Sequence, residues 1–164
     1  MSAVRIRPVE SEDRAAVRDI ETRAFGRTDE AELVDRLRAD GDVVVELIAE
    51  QDGVAVGHIL FSRLAVDPAA RFTALAPVAV SPTHQRGGVG GALVRAGLDA
   101  CRDAGQVAVI VLGHPEYYPR FGFSTEAALQ VRSPFEGPAF MALALRSGAL
   151  DRPVAITYAA AFGL

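Results

Sequence analysis

One segment restricts this chain more than any other. An apolar run, Phe72 to Val80, enters Ser81-Pro82-Thr83-His84-Gln85-Arg86-Gly87-Gly88-Val89-Gly90-Gly91, and the glycines open directly into an amphipathic stretch from Gly88 to Ala104. β-rich residues give way to a helical period at the glycines, so the segment reads strand, turn, helix. Val89, Leu93, Ala96 and Ala100 fall on one face of that helix. Gly87, Gly88, Gly90 and Gly91 have no Cβ, which lets a ligand approach the backbone closely. The N–H groups of a first helical turn point outward with the positive end of the helix dipole, an arrangement suited to a pyrophosphate. The same residues also fit a plain turn at a helix N-terminus.

Two common nucleotide-binding readings fail here. A P-loop ends in Gly-Lys-Ser/Thr, and all 17 cations of the chain are arginine. A dinucleotide fingerprint needs Gly-x-Gly-x-x-Gly after the first strand of a βαβ unit. Counted from Gly88, the third place holds Leu93, and the turn lies mid-chain. The net charge of −4 leaves no basic field for a nucleic-acid backbone. The lack of lysine and asparagine is the imprint of a GC-rich, bacterial-type genome rather than of function. Cys101 is the only cysteine, so neither an internal disulfide nor a thiolate-built zinc site is expected, and the three histidines lack metal-ligand spacing. No apolar run approaches the ~20 residues of a membrane span, and Met1-Ser2-Ala3-Val4-Arg5 carries no secretory signal. The expectation is a soluble, cytoplasmic protein that contacts neither membrane nor nucleic acid, as monomer or homodimer.

With 164 residues, half of them hydrophobic, the chain has room for one self-sufficient domain over 1–164. Val4 to Val9 reads as a strand. Ser11 can N-cap a helix with Val17, Ile20 and Ala24 on one face, and Asp29 and Glu32 have capping-box spacing for a second helix that buries Leu33 and Leu37. Val43 to Glu50 and Val54 to Leu64 form a hairpin through Asp52-Gly53. A loop with Asp67-Pro68 leads to Phe72 to Val80, where Pro77 cannot donate to a ladder and requires a bulge or an edge. Beyond the glycine turn, Val107 to Leu112 reads as a strand buried on both faces. A short helix around Glu116 to Phe121 and strands near Phe123 and over Ala139 to Leu145 follow. The apolar tail from Arg146 is expected to pack on the body.

Gln85, Gly88 and Gly90 stand as Gln-x-x-Gly-x-Gly, and a second motif follows, Tyr117-Tyr118-Pro119-Arg120-Phe121-Gly122-Phe123, with Tyr118 28 residues after Gly90. In these two motifs, and in its element order, the chain resembles the GNAT superfamily of acetyl-CoA-dependent N-acetyltransferases. The second motif resembles in particular a branch of predicted acetyltransferases with a Tyr-Tyr-x-Arg-Phe-Gly-Phe signature. The resemblance implies a mixed, mostly antiparallel sheet of about six or seven strands flanked by about four helices and splayed at the strand before the glycine turn. It implies acetyl-CoA as co-substrate, held along Val78, Ala79 and Val80 and by Gln85, Arg86, Gly87, Gly88, Val89, Gly90 and Gly91. It also implies a backbone N–H at or near Val80 that polarises the thioester carbonyl, and Tyr118, four residues before Gly122, as the acid for the departing thiolate. Tyr117 is then the packing partner.

The general base is open on the sequence alone. An alkylammonium of pKa ~10.4 must lose a proton before it can attack. Phe72 to Val80 holds no carboxylate, so His114, Glu116 and a water are the alternatives. His58 reads as a satisfied, half-buried strand residue. Glu21, Asp29, Glu30, Glu32 and Asp35 read as ordinary solvated charge on the first two helices. The expected function is acetyl transfer from acetyl-CoA to a primary amine by direct attack in a ternary complex. The competing reading is an acyl-CoA-binding sensor with little turnover.

Overall fold

The computed structural model describes residues 3–164. Met1 and Ser2, part of the N-terminal stretch read above, lie outside the described residues. Strand β1 (Arg5–Pro8) precedes helices α1 (Arg14–Phe25) and α2 (Asp29–Ala39). Strands β2 (Val43–Gln51) and β3 (Val54–Arg63) form the expected hairpin. Asp52 and Gly53 both take positive φ (54° and 76°), the pair that a type I′ turn requires. A short strand β4 (Ala65–Asp67) is followed by β5 (Phe72–Val80), α3 (Val89–Asp103) and β6 (Ala108–Leu112). Strands β7 (Val131–Arg132), β8 (Phe140–Ala144) and β9 (Val154–Thr157) complete the chain.

The main sheet has six strands in the order β1-β2-β3-β5-β6-β8, antiparallel except where β5 meets β6. Its two faces are divided between helices and a second sheet. Gly57, Ile59 and Phe61 turn toward α3, while Ile48 and Leu60 pack with Val17 of α1 and Val34 and Leu37 of α2. Alternation along β3 puts these two sets on opposite faces. A second sheet, β4-β9-β7, was not foreseen from the sequence. It packs Val131, Val154 and Ile156 against Phe72, Ala74, Ile110 and Ala142. Through β9 the apolar tail becomes the middle strand of this sheet.

Two glycines set the distance between α3 and the main sheet. A Cβ on Gly97 would lie 2.3 Å from Cε1 of Phe61, and one on Gly57 would lie 2.9 Å from both Leu93 and Val89. At either position an added Cβ would force a neighbour to shift, so the helix sits directly on β3.

Several local expectations change. Ser11 does not cap α1; it begins a 3-10 turn, Ser11–Asp13. Asp13 closes that turn by accepting from the Glu10 N–H at 2.8 Å, and Arg7 holds the same carboxylate and brings its pKa down to about 2. Asp29 is the first residue of α2 rather than its cap. The residue before it, Thr28, donates to the Glu32 carboxylate at 3.2 Å. The helix expected over 116–121 is only a 3-10 turn, Tyr118–Phe121, because Pro119 lacks an N–H and Gly122, at φ 101°, turns the chain away. The strand near Phe123 is a single bridge between Ser124 and Ala142.

Candidate active site

The site begins where the main sheet comes apart. β5 and β6 pair over only three residues, Phe72–Ala74 with Ala108–Ile110, although β5 runs on to Val80. Register explains the break. Ile59 faces Val78 while Phe61 faces Leu75, so two steps on β3 match three on β5 and the extra residue falls at Ala76–Pro77. This is the bulge that Pro77 called for. A bulge bends its strand and sharpens the local twist, which carries the end of β5 away from β6.

The open edge of β5 presents backbone groups to the resulting cleft. The N–H of Ser81 donates to the Val56 carbonyl at 2.8 Å, on the β3 side. Backbone polar groups alternate along a strand, so those of Val78 and Val80 point away from β3. The side chain of Gln85 agrees with this: its Nε2 donates to the Val80 carbonyl at 3.0 Å, across the turn. Gln85 thus braces the turn, and Ala79, buried between the valines, faces α1.

Past Val80 the chain winds through the 3-10 turn Pro82–His84, takes a left-handed step at Arg86 (φ 65°) and another at Gly88 (φ 87°), and enters α3. No side chain caps the helix. Its first N–H groups therefore face outward beside Gly87, Gly90 and Gly91, with Val89 buried beneath them. From Ser81 to Arg95 the chain carries Arg86 and Arg95 and no carboxylate. The turn suits an anion on both geometry and charge.

The aromatic motif closes the cleft from the β6 side. Tyr118 is 7% exposed, with its ring against Gly113, where a Cβ would lie 2.4 Å from Cε2. Phe123 stands edge-on to it at 5.8 Å. The Tyr118 hydroxyl makes no side-chain hydrogen bond among the described residues. Burial, with a smaller contribution from Tyr117, pushes its pKa up to about 12. The proton therefore stays on at neutral pH. Tyr117 does more than pack: its hydroxyl comes within 3.3 Å of where a Gly90 Cβ would be, beside Val80, while Arg120 stacks on its ring at 4.5 Å. His114 and Glu116 are both exposed.

On the other side of β5 lies a charged cluster that includes Glu21, expected from the sequence to be ordinary solvated charge. His58 is fully buried rather than half-buried. Its Nδ1 is 2.6 Å from Glu21 Oε2 and its Nε2 is 2.7 Å from Glu46 Oε2. Arg38 of α2 grips Glu46 with two hydrogen bonds. Glu21 is 0% exposed, and its second oxygen, Oε1, has no partner among the described residues. Burial lowers the His58 pKa, but the two carboxylates outweigh it and the net direction is up. Glu46 moves down, since His58 and Arg38 outweigh its own burial, and Glu21 moves up because burial dominates. A signal for this was present. Glu21 falls four residues after Val17 and three before Ala24, inside the apolar stripe of α1, and His58 alternates with Val56 and Leu60.

The GNAT acetyltransferase family matches residues 14–123, about two-thirds of the chain. The chain belongs to this family. Among its GNAT relatives, Escherichia coli YjhQ, described as an uncharacterized N-acetyltransferase, is 45% identical over 116 residues; these make up 68% of this chain and 64% of YjhQ. Escherichia coli YhbS, described in the same words, is 36% identical over 133 residues, covering 79% of this chain and 80% of YhbS. The crystal structure of YhbS in complex with CoA superposes with a TM-score of 0.92 at 30% identity, over 100% of this chain and 94% of YhbS. A GNAT acetyltransferase from Brucella melitensis in complex with acetyl-CoA gives 0.82 at 33%, over 99% of both chains.

Proposed function

We propose that this GNAT protein binds acetyl-CoA in the β5–β6 cleft and transfers the acetyl group to a primary amine by direct attack in a ternary complex. The observation that carries the reading is the parting of β5 from β6 at the Ala76–Pro77 bulge, which opens straight onto an uncapped, glycine-lined helix start. The residues fit the coenzyme. The glycine turn can take its pyrophosphate, and the free edge at Val78 can pair with an amide of its arm. The two similar structures are complexes with CoA and acetyl-CoA, which supports the choice of coenzyme.

When bound, acetyl-CoA supplies an activated acetyl thioester. The chain's own groups do the rest. The Val80 N–H faces the cleft and can donate to the thioester carbonyl oxygen, a fixed donor of the oxyanion-hole kind. Gln85 holds the next peptide, Val80–Ser81, in place through the Val80 carbonyl. Tyr118 offers a protonated hydroxyl. With its pKa near 12 against ~8.5 for an ordinary thiol, it gives little proton to the resting sulfur. It donates a hydrogen bond that strengthens as negative charge builds there.

Thermal melting with and without acetyl-CoA tests the site. At a hundred times the dissociation constant, binding adds ~2.7 kcal/mol, a rise of about 5–10 °C for a domain of this size. Thiol release with a panel of primary amines then tests the transfer. No rise at saturating acetyl-CoA refutes the reading; a rise with no thiol release from any amine favours a binding domain without turnover.

A further inference from the structure

The amine must lose a proton, and none of the groups already placed in the cleft takes it. Tyr118 keeps its own proton, and His114 and Glu116 are exposed. The buried cluster behind β5 has an acceptor. Helix α1 packs on both β3 and β5, and Glu21 lies on its buried face. His58 is paired directly across the ladder with Ala79, the residue between the two valines whose backbone lines the cleft. Paired residues on adjacent antiparallel strands stand only ~5 Å apart. Glu21 therefore reaches His58 within one strand of the cleft.

The carboxylate is held in a particular way. His58 occupies Oε2 at 2.6 Å, and Oε1 is left with no partner inside the protein. An unpaired buried carboxylate oxygen costs stability and needs a reason. His58 is in turn fixed by Glu46, and Glu46 by Arg38, at a pocket of about 250 Å³ that Arg14 and Ser11 also line. The charged groups acting on Glu21 are His58 from β3, Glu46 from β2 and Glu30 from α2, and the β5 segment Phe72–Val80 has no charged residue. The assembly sets one oxygen and leaves the other free.

We propose that Glu21 is the proton acceptor for the attacking amine, through Oε1 or one intervening water, and that His58, Glu46 and Arg38 are positioning residues that hold it. In this step the N–H bond of the ammonium breaks and an O–H bond forms on Oε1. The amine lone pair is freed for attack, and the proton passes to solvent when the product leaves. Burial also raises the basicity of Glu21, the direction a base working near neutral pH requires.

The inference rests on the acetyl-transfer reading, and a pair of probe amines separates the two. Ethylamine is protonated at neutral pH and needs a base; trifluoroethylamine, weakened by its fluorines, is already neutral and does not. Glu21→Gln is expected to lower turnover of ethylamine by ~10²-fold or more, the usual contribution of a general base. Turnover of trifluoroethylamine should fall by far less, and the acetyl-CoA melting shift should persist. Equal losses for both amines, or no loss for ethylamine, overturn the assignment while leaving the transferase intact. Failure of the wild-type protein to use these two or any other amine of the panel, with acetyl-CoA bound, refutes the transfer reading and this assignment with it.

Glu46→Gln, at the solvent end of the cluster, keeps the test alive if Glu21→Gln does not fold. It should produce the same bias against ethylamine at a smaller size. A readout on the free protein is independent of turnover. Nitrogen-15 shifts should show both ring nitrogens of His58 protonated at neutral pH in the wild type, with the pattern lost in Glu21→Gln. A ring titrating at the ordinary histidine value overturns the assignment.

Discussion

Gly97→Ala measures how closely α3 lies on the sheet. The new methyl would sit 2.3 Å from Cε1 and 2.6 Å from Cζ of Phe61, whereas comfortable carbon–carbon contact is ~3.5–4.0 Å. Phe61 is 0% exposed and cannot swing into solvent. Overpacking of this kind typically costs ~1–3 kcal/mol, and an overlap beyond an ångström belongs at the upper end. Replacing glycine within a helix returns ~1 kcal/mol of helix propensity. The net loss is then about 2 kcal/mol, a fall in melting temperature of about 4–8 °C at this chain length. The companion variant Phe61→Leu makes room for the methyl. The double variant should be about 1–2 kcal/mol more stable than the two single effects sum to, as expected for residues in contact. Thermal and urea unfolding of the four proteins supplies the cycle. A Gly97→Ala protein as stable as the wild type, or strictly additive effects, would refute the close approach.

Three further outcomes are expected. Tyr118→Phe removes a donor to the developing negative charge and should lower amine acetylation by ~10²-fold or more while leaving acetyl-CoA binding unchanged. Its melting point should barely move, since the lost hydroxyl makes no side-chain hydrogen bond; unchanged turnover would remove Tyr118 from the chemistry. Gly90→Val would press on the Tyr117 hydroxyl and on Val80 and should abolish the acetyl-CoA melting shift; a full shift would place the coenzyme elsewhere. The buried cluster sets a pH dependence. His58 is raised from 6.5 and Glu21 from 4.5, so the stability they contribute is complete below those values and is lost as pH rises through the folded ones. Glu46 is lowered, so its contribution is lost as pH falls below about 4.5. The melting temperature should therefore decline on the alkaline side of pH 6.5. His58→Gln should flatten that decline, and an equally steep slope in this variant would contradict the cluster.

The parts legible in the sequence were those with local causes. Asp52-Gly53 can make only a small family of turns, Pro77 can pair only in part, and the glycines at 87, 88, 90 and 91 mark a helix start that a ligand can approach. The second sheet was not legible, because β4, β7 and β9 have two to four residues each, too few for a period to show, and they meet across ninety residues of chain. The Glu21–His58–Glu46 cluster was missed for a different reason. Each member reads as an ordinary charged or polar residue in its own element, and only the packing of α1 on β3 turns them inward together. Tyr117 was underestimated because spacing ranks residues along the motif but does not say which hydroxyl reaches the glycine turn.

The early parting of β5 from β6 has a consequence for how this protein tolerates change. A ligand amide laid along Val78 would be recognised by peptide groups, and every residue type except proline carries the same ones. Substitutions among the side chains of that strand should therefore cost little affinity, so long as the kink at Ala76–Pro77 survives. The binding surface is then maintained by the shape of the main chain. Variation can accumulate along the strand without loss of the coenzyme, and the acceptor side of the cleft is free to diversify independently of it.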